Sequence, residues 1–393
     1  MIGKRVVIVS GKRTPIGTFM GGLSNIPAPQ LASTAIKGAL SAIDLKTKEV
    51  DEVFIGNVIS AGIGQAPSRQ AALGAGFDYS TPTTDINKVC ASGMKSVMIG
   101  AQTIALGDRT TVVAGGMENM SKIPHYSYLR TPTTYAHARL IDGLMNDGLT
   151  DAYDNIAMGN CVEKTNRDFG FTREQQDKFA ISSYEKARKA QEDGTFAWEI
   201  VPVEEKTRRG TKVIDKDEEC QRFMPDKLSQ LRPAFEKTGS ITAANASKIN
   251  DGASALVLME EEAAKARGLK PLARIIGFDD SACAPIDFAI APTGACKRIL
   301  KTHKMQASDI DLHEINEAFA SVVLANAELL GLDMDKINVH GGAVALGHPI
   351  GTSGNRIILS LINALRSQDK SVGMASICNG GGGASAILIE RLD

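Results

Sequence analysis

The segment DGASALVLME at residues 251–260 returns near the end of the chain as GGASAILIER at residues 382–391. Seven of the ten aligned positions are identical or exchange one aliphatic residue for another. Both segments contain a continuous apolar run, which is typical of a β-strand whose two faces are both covered. A segment repeated in this way predicts a chain built from two related halves.

Two more pairs of segments repeat in the same order along the chain. They are TVVAGGMEN and SVGMASICN, which start at Thr111 and Ser371, and VDEVFIGNV and IDLHEINEA, which start at Val50 and Ile310. The first pair follows predicted helices over residues 94–106 and 357–365. We therefore predict an α/β fold with five αβαβα layers, in which residues 1–119 with 249–270 form one half and residues 271–393 form the other.

The repeat is interrupted by residues 120–248, which have no counterpart in the second half. This stretch contains most of the tyrosines, a charge-rich predicted helix at residues 172–193 and a polar, hairpin-like pattern at residues 199–219. We predict that it forms an inserted loop domain over the carboxyl ends of the strands. That edge of the sheet is where α/β proteins usually bind ligands.

The composition argues against two classes of partner. The chain has 393 residues and a net charge of −1 at pH 7, from 44 basic and 45 acidic residues. Because there is no excess of positive charge to attract phosphates, we predict no nucleic-acid partner. No apolar run approaches the roughly 18–20 residues that span a bilayer, so we predict no membrane partner.

The six cysteines are scattered and form no CxxC pair. This distribution favours a reducing, intracellular compartment and argues against a disulfide framework or a structural zinc site. The N-terminal segment has the pattern of a strand, and neither that of a secretory leader nor that of an Arg-rich presequence. Removal of a presequence would leave the same pattern.

Four motifs follow predicted strands and contain reactive or hydrogen-bonding side chains. They are CAS at Cys90, NEAFA at Asn316, GHPIG with His348, and CNGGGG at Cys378. Each motif alone has an ordinary structural explanation, as a buried cysteine, a helix cap or a glycine-rich turn. The symmetry of the repeat, however, predicts that these loops meet, which makes one shared site the better explanation of all four.

These residues suit acyl transfer through a thioester. A cysteine at a helix N-terminus and near an imidazole is expected to have a pKa below its usual value of ~8.5, and its thiolate attacks an acyl carbon. We expect His348 to accept the thiol proton of Cys90, and the amides that follow Cys378 to stabilise a developing oxyanion. Cys378 itself suits removal of a proton from the carbon next to a thioester.

The motifs, their order and the interrupted repeat resemble those of the thiolase family, from VIVSGKRTPIG at Val7 to ASAILIERL at Ala384. Within this family the sequence is most similar to the short-chain acetyl-CoA acetyltransferases, in particular the mitochondrial type. The resemblance implies the thiolase-like five-layer fold and the reversible Claisen condensation of two acetyl-CoA molecules to acetoacetyl-CoA and CoA. Coenzyme A would be substrate and product, with no redox cofactor.

The resemblance also implies a role for each motif residue. Cys90 would carry the acetyl group, and His348 would activate Cys90 and later help to hold the enolate oxygen. Asn316 would hold a water molecule that completes this first oxyanion hole, and Cys378 would exchange the α-proton of the second acetyl-CoA. The amides of Cys90 and Gly380 would form the second hole, around the acyl-enzyme carbonyl.

The resemblance implies that coenzyme A lies mainly on the inserted domain. The implied contacts are Leu149, Tyr184, Arg222, Lys227, Phe235, Ser247, Phe288, Ala318 and Phe319. An ordinary solvated surface is an almost equally good explanation of the charges on Arg222 and Lys227. Mitochondrial members bind a potassium ion through backbone carbonyls and a tyrosine, and the corresponding residues here are Tyr184, Ala243, Ala244, Ala246 and Val344.

The sequence departs from the family pattern at two places near the acyl group. Ala157 stands where many short-chain members have histidine. Phe288-Ala289 stands where members that accept 2-methyl-branched substrates have Phe-Pro. The sequence thus has only half of the pattern found in members that accept branched substrates. On this basis we expect that 2-methyl-branched or propionyl substrates are accepted.

The resemblance further implies a homotetramer, a dimer of dimers, joined through the aromatic-rich segment 126–144. It favours the mitochondrial matrix, with the cytoplasm as the alternative compartment. Three other functions fit the sequence less well. A decarboxylating ketoacyl synthase-like enzyme would need a second catalytic histidine where Asn316 stands, a non-catalytic acyl-CoA or lipid carrier would not need four intact motifs, and a cysteine protease would give Cys378 no role.

Overall fold

The structure, a computed structural model, describes residues 3–130, 134–208 and 210–393. The strands in this part of the chain are β1 (Val6–Arg13), β2 (Gly17–Thr18), β3 (Glu52–Gly56), β4 (Thr83–Ile86), β5 (Thr111–Asn119), β6 (His125–Tyr126), β7 (Ile141–Asp142), β8 (Val203–Thr207), β9 (Gly210–Ile214), β10 (Asn250–Glu260), β11 (Ala273–Ala282), β12 (Leu312–Ile315), β13 (Val372–Asn379) and β14 (Gly383–Arg391).

The α-helices are α1 (Ala28–Ser41), α2 (Pro67–Gly74), α3 (Ser92–Leu106), α4 (Met158–Phe169), α5 (Arg173–Glu192), α6 (Glu261–Ala266), α7 (Ala291–His303), α8 (Ala320–Leu330), α9 (Ala343–Leu346) and α10 (Ile350–Ser367). A π-helical turn covers Met145–Leu149, and short 3-10 turns cover Thr47–Glu49, Met120–Lys122, Thr195–Trp198, Cys220–Arg222, Pro225–Gln230, Pro285–Ile290, Ala307–Asp309 and Met334–Lys336.

The main sheet repeats one strand order in two halves. From edge to centre the N-terminal half runs β3, β5, β10, β1, with β4 outside β3, and the C-terminal half runs β12, β13, β14, β11. In each half the first pair is parallel and the next pair is antiparallel. The halves join where β1 pairs with β11, over the residue pairs Val7 with Arg274 and Ile8 with Ala273. The prediction of a duplicated α/β fold is confirmed, and the hydrogen-bonded junction makes the two halves one continuous sheet.

Helices cover both faces of each half. Helices α1 and α2 pack on the outer face of the N-terminal half, in a core that includes Leu31 and Val113. Helices α3 and α10 lie between the halves, in a core that combines Met98 and Leu361 with strand residues from both sides. Helix α7 covers the outer face of the C-terminal half. These are the five predicted αβαβα layers.

The two central helices touch at their N-terminal turns. A side chain on Gly93 would lie 2.8 Å from the carbonyl oxygen of Gly351, and one on Gly354 would lie 2.5 Å from the amide nitrogen of Met94. Glycine at these positions therefore lets the two backbones meet. Because the CAS motif comes just before α3 and the GHPIG motif runs into the start of α10, this contact brings the two motifs to the same end of the molecule.

The boundaries of these helices differ from the prediction. Helix α10 begins at Ile350 instead of residue 357, and α3 begins at Ser92 instead of residue 94. Glycines lower the intrinsic helix propensity of both first turns. Burial between the halves overrides that preference, since the first turn of α10 is fully buried.

One described helical stretch, Val89–Leu106, is long and apolar enough by composition to cross a membrane. More than half of it is buried inside the molecule, as is common for a core helix. Its hydrophobicity is explained by its place between the two halves of the sheet.

The stretch 120–248 contributes β6 to β9 and helices α4 and α5, and its described strands pair among themselves rather than with the main sheet. The predicted hairpin is present as β8 and β9, which pair from Val203 with Ile214 to Thr207 with Gly210. Arg209, which the predicted hairpin includes, lies outside the described residues, as do residues 131–133 of the segment predicted to join subunits. The predicted charge-rich helix is α5, which starts with a capping box between Thr172 and Gln175.

Candidate active site

A cavity of about 510 Å³ lies between the motif loops and the stretch 120–248. This volume is in the range of pockets that bind small molecules. The cavity brings together twelve of the predicted site residues: Cys90, Leu149, Arg222, Phe235, Ala243, Ala246, Ser247, Phe288, Ala318, Phe319, His348 and Gly380.

The other predicted site residues do not line this cavity. Cys378 and Asn316 are buried, and Cys378 packs in one cluster with Phe288 and Phe319, which do line it. Tyr184, Ala244 and Val344 are also buried, whereas Lys227 is exposed.

A strained turn holds Cys90 between β4 and α3. Val89 has a φ of 47°, in the left-handed region that non-glycine residues rarely adopt. The Ser92 hydroxyl spans the turn, since its Oγ accepts from the Lys88 amide at 2.8 Å and donates to the Val89 carbonyl at 2.6 Å. The Lys88 ammonium also contacts the carboxylate of Asp280 on β11. The turn before Cys90 is therefore fixed by both halves of the molecule.

The structure corrects the predicted pKa of the Cys90 thiol. Burial raises this pKa to about 11, and the amides of Gly380 and of Cys90 itself, which donate toward the sulfur, oppose the rise only in part. Burial also lowers the pKa of His348 to about 3, so the imidazole carries no charge that would stabilise a thiolate. At rest the two groups are a neutral thiol and a neutral imidazole.

Hydrogen bonds decide which ring nitrogen of His348 carries the proton. Nδ1 lies 2.6 Å from Oγ of Ser353, and this hydroxyl donates to the carbonyl of Pro349 at 3.0 Å. Since the hydroxyl has only one proton, Nδ1 must be the donor to Ser353, which leaves Nε2 unprotonated. Nε2 is buried and has no hydrogen-bond partner among the described residues. It is a free base at the wall of the cavity.

Two buried side chains fix the backbone around His348. Asn250 accepts a hydrogen bond from the His348 amide through Oδ1 at 2.9 Å. Glu118 accepts from the amides of Gly351 and Val58, each at 3.0 Å, and so ties the first turn of α10 to the N-terminal half. Burial raises the pKa of Glu118 to about 7, although these donors oppose the rise.

Asn316 presents unpaired polar atoms at the end of β12. Its amide nitrogen donates to the carbonyl of Ser376 at 3.0 Å, which fixes its backbone. Within the described part of the chain, its side-chain Oδ1 and Nδ2 have no partner although both are buried. Buried polar groups without partners are rare and destabilise a protein. The unpaired side-chain amide of Asn316 therefore indicates a functional role rather than a stabilising one.

Cys378 lies at the end of β13, two residues before Gly380. Burial raises the pKa of its thiol, and the charge of an ionised Cys90 would raise it further. Cys378 is protonated at rest, like Cys90.

Two aromatic rings line part of the cavity. Phe235 and Phe319 meet edge to face with their ring centres 6.0 Å apart. A side chain on Gly159, at the start of α4, would lie 2.3 Å from the ring of Phe235, so glycine there lets the ring pack on the helix. Leu149 adds an aliphatic side chain elsewhere in the cavity lining. This surface suits an apolar arm of a ligand.

The polar groups predicted to bind coenzyme A differ in their position and exposure. Arg222 lines the cavity with an exposed side chain. The Ser247 amide donates to the carbonyl of Ala318 at 3.0 Å, which ties the loop 242–247 to the NEAFA motif. Lys227 is exposed on a 3-10 turn, as expected for a solvated charge.

The two positions that depart from the family pattern both line the cavity. Phe288 is buried on the Pro285–Ile290 turn and presents its ring there. Ala157 is the N-cap of α4 and contributes only a methyl group. Ala289 is fully buried away from the cavity surface.

The residues predicted to bind potassium do not fit that ion in this structure. Nζ of Lys248 donates to the carbonyl of Ala246 at 2.7 Å and to that of Val344 at 3.2 Å. The same ammonium lies 5.5 Å from the ring centre of Tyr184. A cation that is part of the chain thus already binds two of the four predicted carbonyls.

Four residues of this site were not predicted from the sequence: Glu118, Lys248, Asn250 and Ser353. Glu118, Asn250 and Ser353 act through hydrogen bonds to partners that local patterns do not reveal. Lys248 had one sequence signal, a lone lysine directly after the small-residue stretch AANAS.

Known proteins resemble the chain over almost its whole length. The pattern of the thiolase N-terminal domain matches residues 6–262, and that of the thiolase C-terminal domain matches residues 269–391. The chain is 53% identical to a probable acetyl-CoA acetyltransferase of Dictyostelium discoideum, over 98% of this chain and 94% of that protein. It is 50% identical to the mitochondrial acetyl-CoA acetyltransferase of Rattus norvegicus, over 98% of this chain and 91% of that protein.

Solved structures agree with these similarities. Acat5 thiolase from Ascaris suum, crystallised in complex with coenzyme A, superposes with a TM-score of 0.94 at 44% identity, over 99% of this chain and 100% of that one. The acetyl-CoA acetyltransferase of Bacillus anthracis gives a TM-score of 0.97 at 41% identity, over 100% of both chains.

Proposed function

This chain belongs to the thiolase family, and we propose that it carries out its reaction, the reversible condensation of two acetyl-CoA molecules to acetoacetyl-CoA and CoA, by a ping-pong mechanism through acetyl-Cys90. Relatives at about half identity that are acetyl-CoA acetyltransferases support the reaction. The observation that supports this mechanism is that Cys90, His348 and Gly380 line the same cavity.

In the first half-reaction Cys90 takes the acetyl group. Nε2 of His348 accepts the thiol proton as the sulfur bonds to the carbonyl carbon of acetyl-CoA. The amides of Cys90 and Gly380 hold the oxyanion of the tetrahedral intermediate. As the bond from carbon to the CoA sulfur breaks, Cys378 gives its proton to that sulfur, and CoA leaves as a thiol. A Cys378 thiolate then faces a protonated His348, and the two opposite charges stabilise each other until the second acetyl-CoA binds.

In the second half-reaction the Cys378 thiolate removes the α-proton of a second acetyl-CoA. The enolate oxygen is held by protonated His348 and, through a water molecule, by the amide of Asn316. The enolate carbon attacks the acetyl carbonyl, acetoacetyl-CoA leaves, and the Cys90 sulfur takes back its proton from His348. Every proton is returned, and the two thiols are neutral again, as their raised pKa values require.

Mass spectrometry tests this proposal directly. Incubation with acetyl-CoA should add one acetyl group to the peptide that contains Cys90, and added CoA should remove it. A coupled assay should follow formation of acetoacetyl-CoA in the same preparation. Tight binding of acetyl-CoA without any adduct would instead favour a non-catalytic carrier.

We propose that the stretch 120–248 forms an inserted domain for coenzyme A binding and subunit contacts, between a half made of residues 1–119 with 249–270 and a half made of residues 271–393. Arg222, Leu149, Phe235 and Ser247 are among the residues of this stretch that line the cavity. The coenzyme A complex of the Ascaris suum thiolase supports this ligand. Mitochondrial relatives support the mitochondrial matrix as the compartment.

We predict a homotetramer in solution. Tyr128, Leu129 and Tyr135, in the segment 126–144, are 72%, 69% and 93% exposed in the single chain, which is unusual for large apolar residues. Light scattering after gel filtration should give four times the chain mass. Leu129→Asp should reduce that mass, whereas Tyr79→Asp, at an exposed tyrosine outside the segment, should not. A monomeric protein would refute this assignment.

The cavity residues expected beside the acyl group, Phe288 and Ala157, predict a broader substrate range than acetyl groups alone. Phe288 forms one side of the cavity, and Ala157 leaves space on another. One methylene in an apolar pocket changes specificity by only ~1–3 kcal/mol, so we expect cleavage of 2-methylacetoacetyl-CoA within about a hundredfold of acetoacetyl-CoA. Values of kcat/KM for both thioesters check this. An enzyme active on the straight chain and inactive on the branched one would show that the pocket is narrow. Ala157→His should lower activity on the branched substrate more than on the straight one.

A further inference from the structure

We propose that the ammonium of Lys248 is a built-in cation of this active site and takes the place of a potassium ion. The inference rests on the proposed thiolase function, because it concerns the loop 242–247 at the cavity and the helix that precedes His348.

Lys248 already binds carbonyl oxygens that a second cation would need. Its Nζ donates to the carbonyls of Ala246 and Val344, at 2.7 and 3.2 Å. Its 5.5 Å separation from the ring centre of Tyr184 is within the range of cation–π attraction. A potassium ion on the same oxygens would lie directly beside the ammonium, and two like charges at that distance repel strongly.

The surroundings supply negative charge for this ammonium. Burial lowers the pKa of Lys248 to about 8, and the carboxylates of Glu219 and Glu317 act in the opposite direction. Glu317 also accepts from the amide of Val344 at 3.0 Å. Val344 is thus held at its nitrogen by a carboxylate and at its oxygen by the ammonium.

Lys248 joins the two segments that must be aligned for catalysis. Ala246 lies in the loop 242–247, which lines the cavity, and Val344 lies on α9, which ends at Leu346, two residues before His348. The ammonium fixes the position of one segment relative to the other. Lys248 is therefore a positioning residue for His348, with the role that a bound cation would have.

The test compares Lys248→Ala with the wild type in potassium chloride and in choline chloride of equal ionic strength. The wild type should have the same thiolysis rate and Tm in both salts. Lys248→Ala should lose roughly tenfold to a hundredfold in kcat/KM in choline chloride, because the carbonyls lose a charged donor. Potassium chloride should restore most of the activity and raise its Tm, since the emptied place can now hold the ion.

Two further variants separate a cation role from simple packing. Lys248→Met keeps the bulk of the side chain without the charge, so it should lose activity and not be rescued by potassium. Lys248→Thr serves as a second small variant should the alanine variant fail to fold, and it should be rescued. Lys301→Ala, at an exposed lysine of α7, should match the wild type in both salts.

Several results would overturn the proposal. They are activation of the wild type by potassium, full activity of Lys248→Ala in choline chloride, and a rise in KM for CoA without potassium rescue. The last would mean that Lys248 binds the anionic substrate. An inactive wild type would refute the proposed function, while the Tm comparison would still test the cation on its own.

Discussion

Replacing Cys90 with alanine is expected to abolish both thiolysis of acetoacetyl-CoA and covalent acetylation by acetyl-CoA. The variant removes the one cysteine among the described residues that line the cavity, and His348 lines the same cavity. Loss of a nucleophile that acts together with a base typically costs on the order of 10⁴-fold or more in kcat. A thiolysis assay with acetoacetyl-CoA measures the first loss, and intact-protein mass spectrometry measures the second.

A matched control for this variant is Cys283→Ala. Cys283 is the exposed cysteine of the chain, and its sulfur lies near the carbonyls of Asp287 and Gly382 rather than on the cavity. This variant should keep both activities. A stable acetyl adduct on Cys90→Ala, or the same loss in Cys283→Ala, would mean that the nucleophile has been assigned to the wrong thiol.

Replacing Cys378 with alanine is expected to separate the two half-reactions. Condensation needs removal of an α-proton from carbon, so it should fall by roughly 10²–10⁴-fold, the usual contribution of a positioned acid or base. Acetylation of Cys90 should fall much less, because His348 is still present and the CoA thiolate leaves readily without an acid. Isotope exchange between labelled CoA and acetyl-CoA reports acetylation, and formation of acetoacetyl-CoA reports condensation.

Cys378→Ser is the companion variant, because it keeps a proton donor of similar size. Its hydroxyl is a far weaker acid than a thiol, so it should also fail in condensation while leaving exchange largely intact. Equal loss of exchange and condensation in both variants would contradict a division of work between the two cysteines. Loss of acetylation at Cys90 without loss of condensation would mean that the roles of the two cysteines are reversed.

The sequence by itself determined the duplicated fold and the residues gathered at the cavity. The segments at residues 251–260 and 382–391 became β10 and β14, which occupy equivalent places in the two halves. Repeats and apolar runs are local patterns, so they can be read along the chain. The motif residues Cys90 and His348 met because the repeat gave each motif the same position in its half.

The start of α10 was less well predicted. Gly351 and Gly354 lower the local helix propensity, but tertiary contact with α3 stabilises the helical conformation there. The sequence could not weigh a backbone contact between helices separated by most of the chain. The same limit applies to Glu118 and Asn250, which fix the backbone at the start of α10 and at His348 from distant positions.

Only the tertiary structure decided the protonation states and the cation of the site. The prediction of a lowered Cys90 pKa considered the helix end and the imidazole, but burial outweighs them and leaves both groups neutral. The ring tautomer of His348 depends on Ser353, and the place predicted for potassium is reached by Lys248. Desolvation and hydrogen bonding depend on which groups surround an atom in space, and that information exists only once the chain has folded.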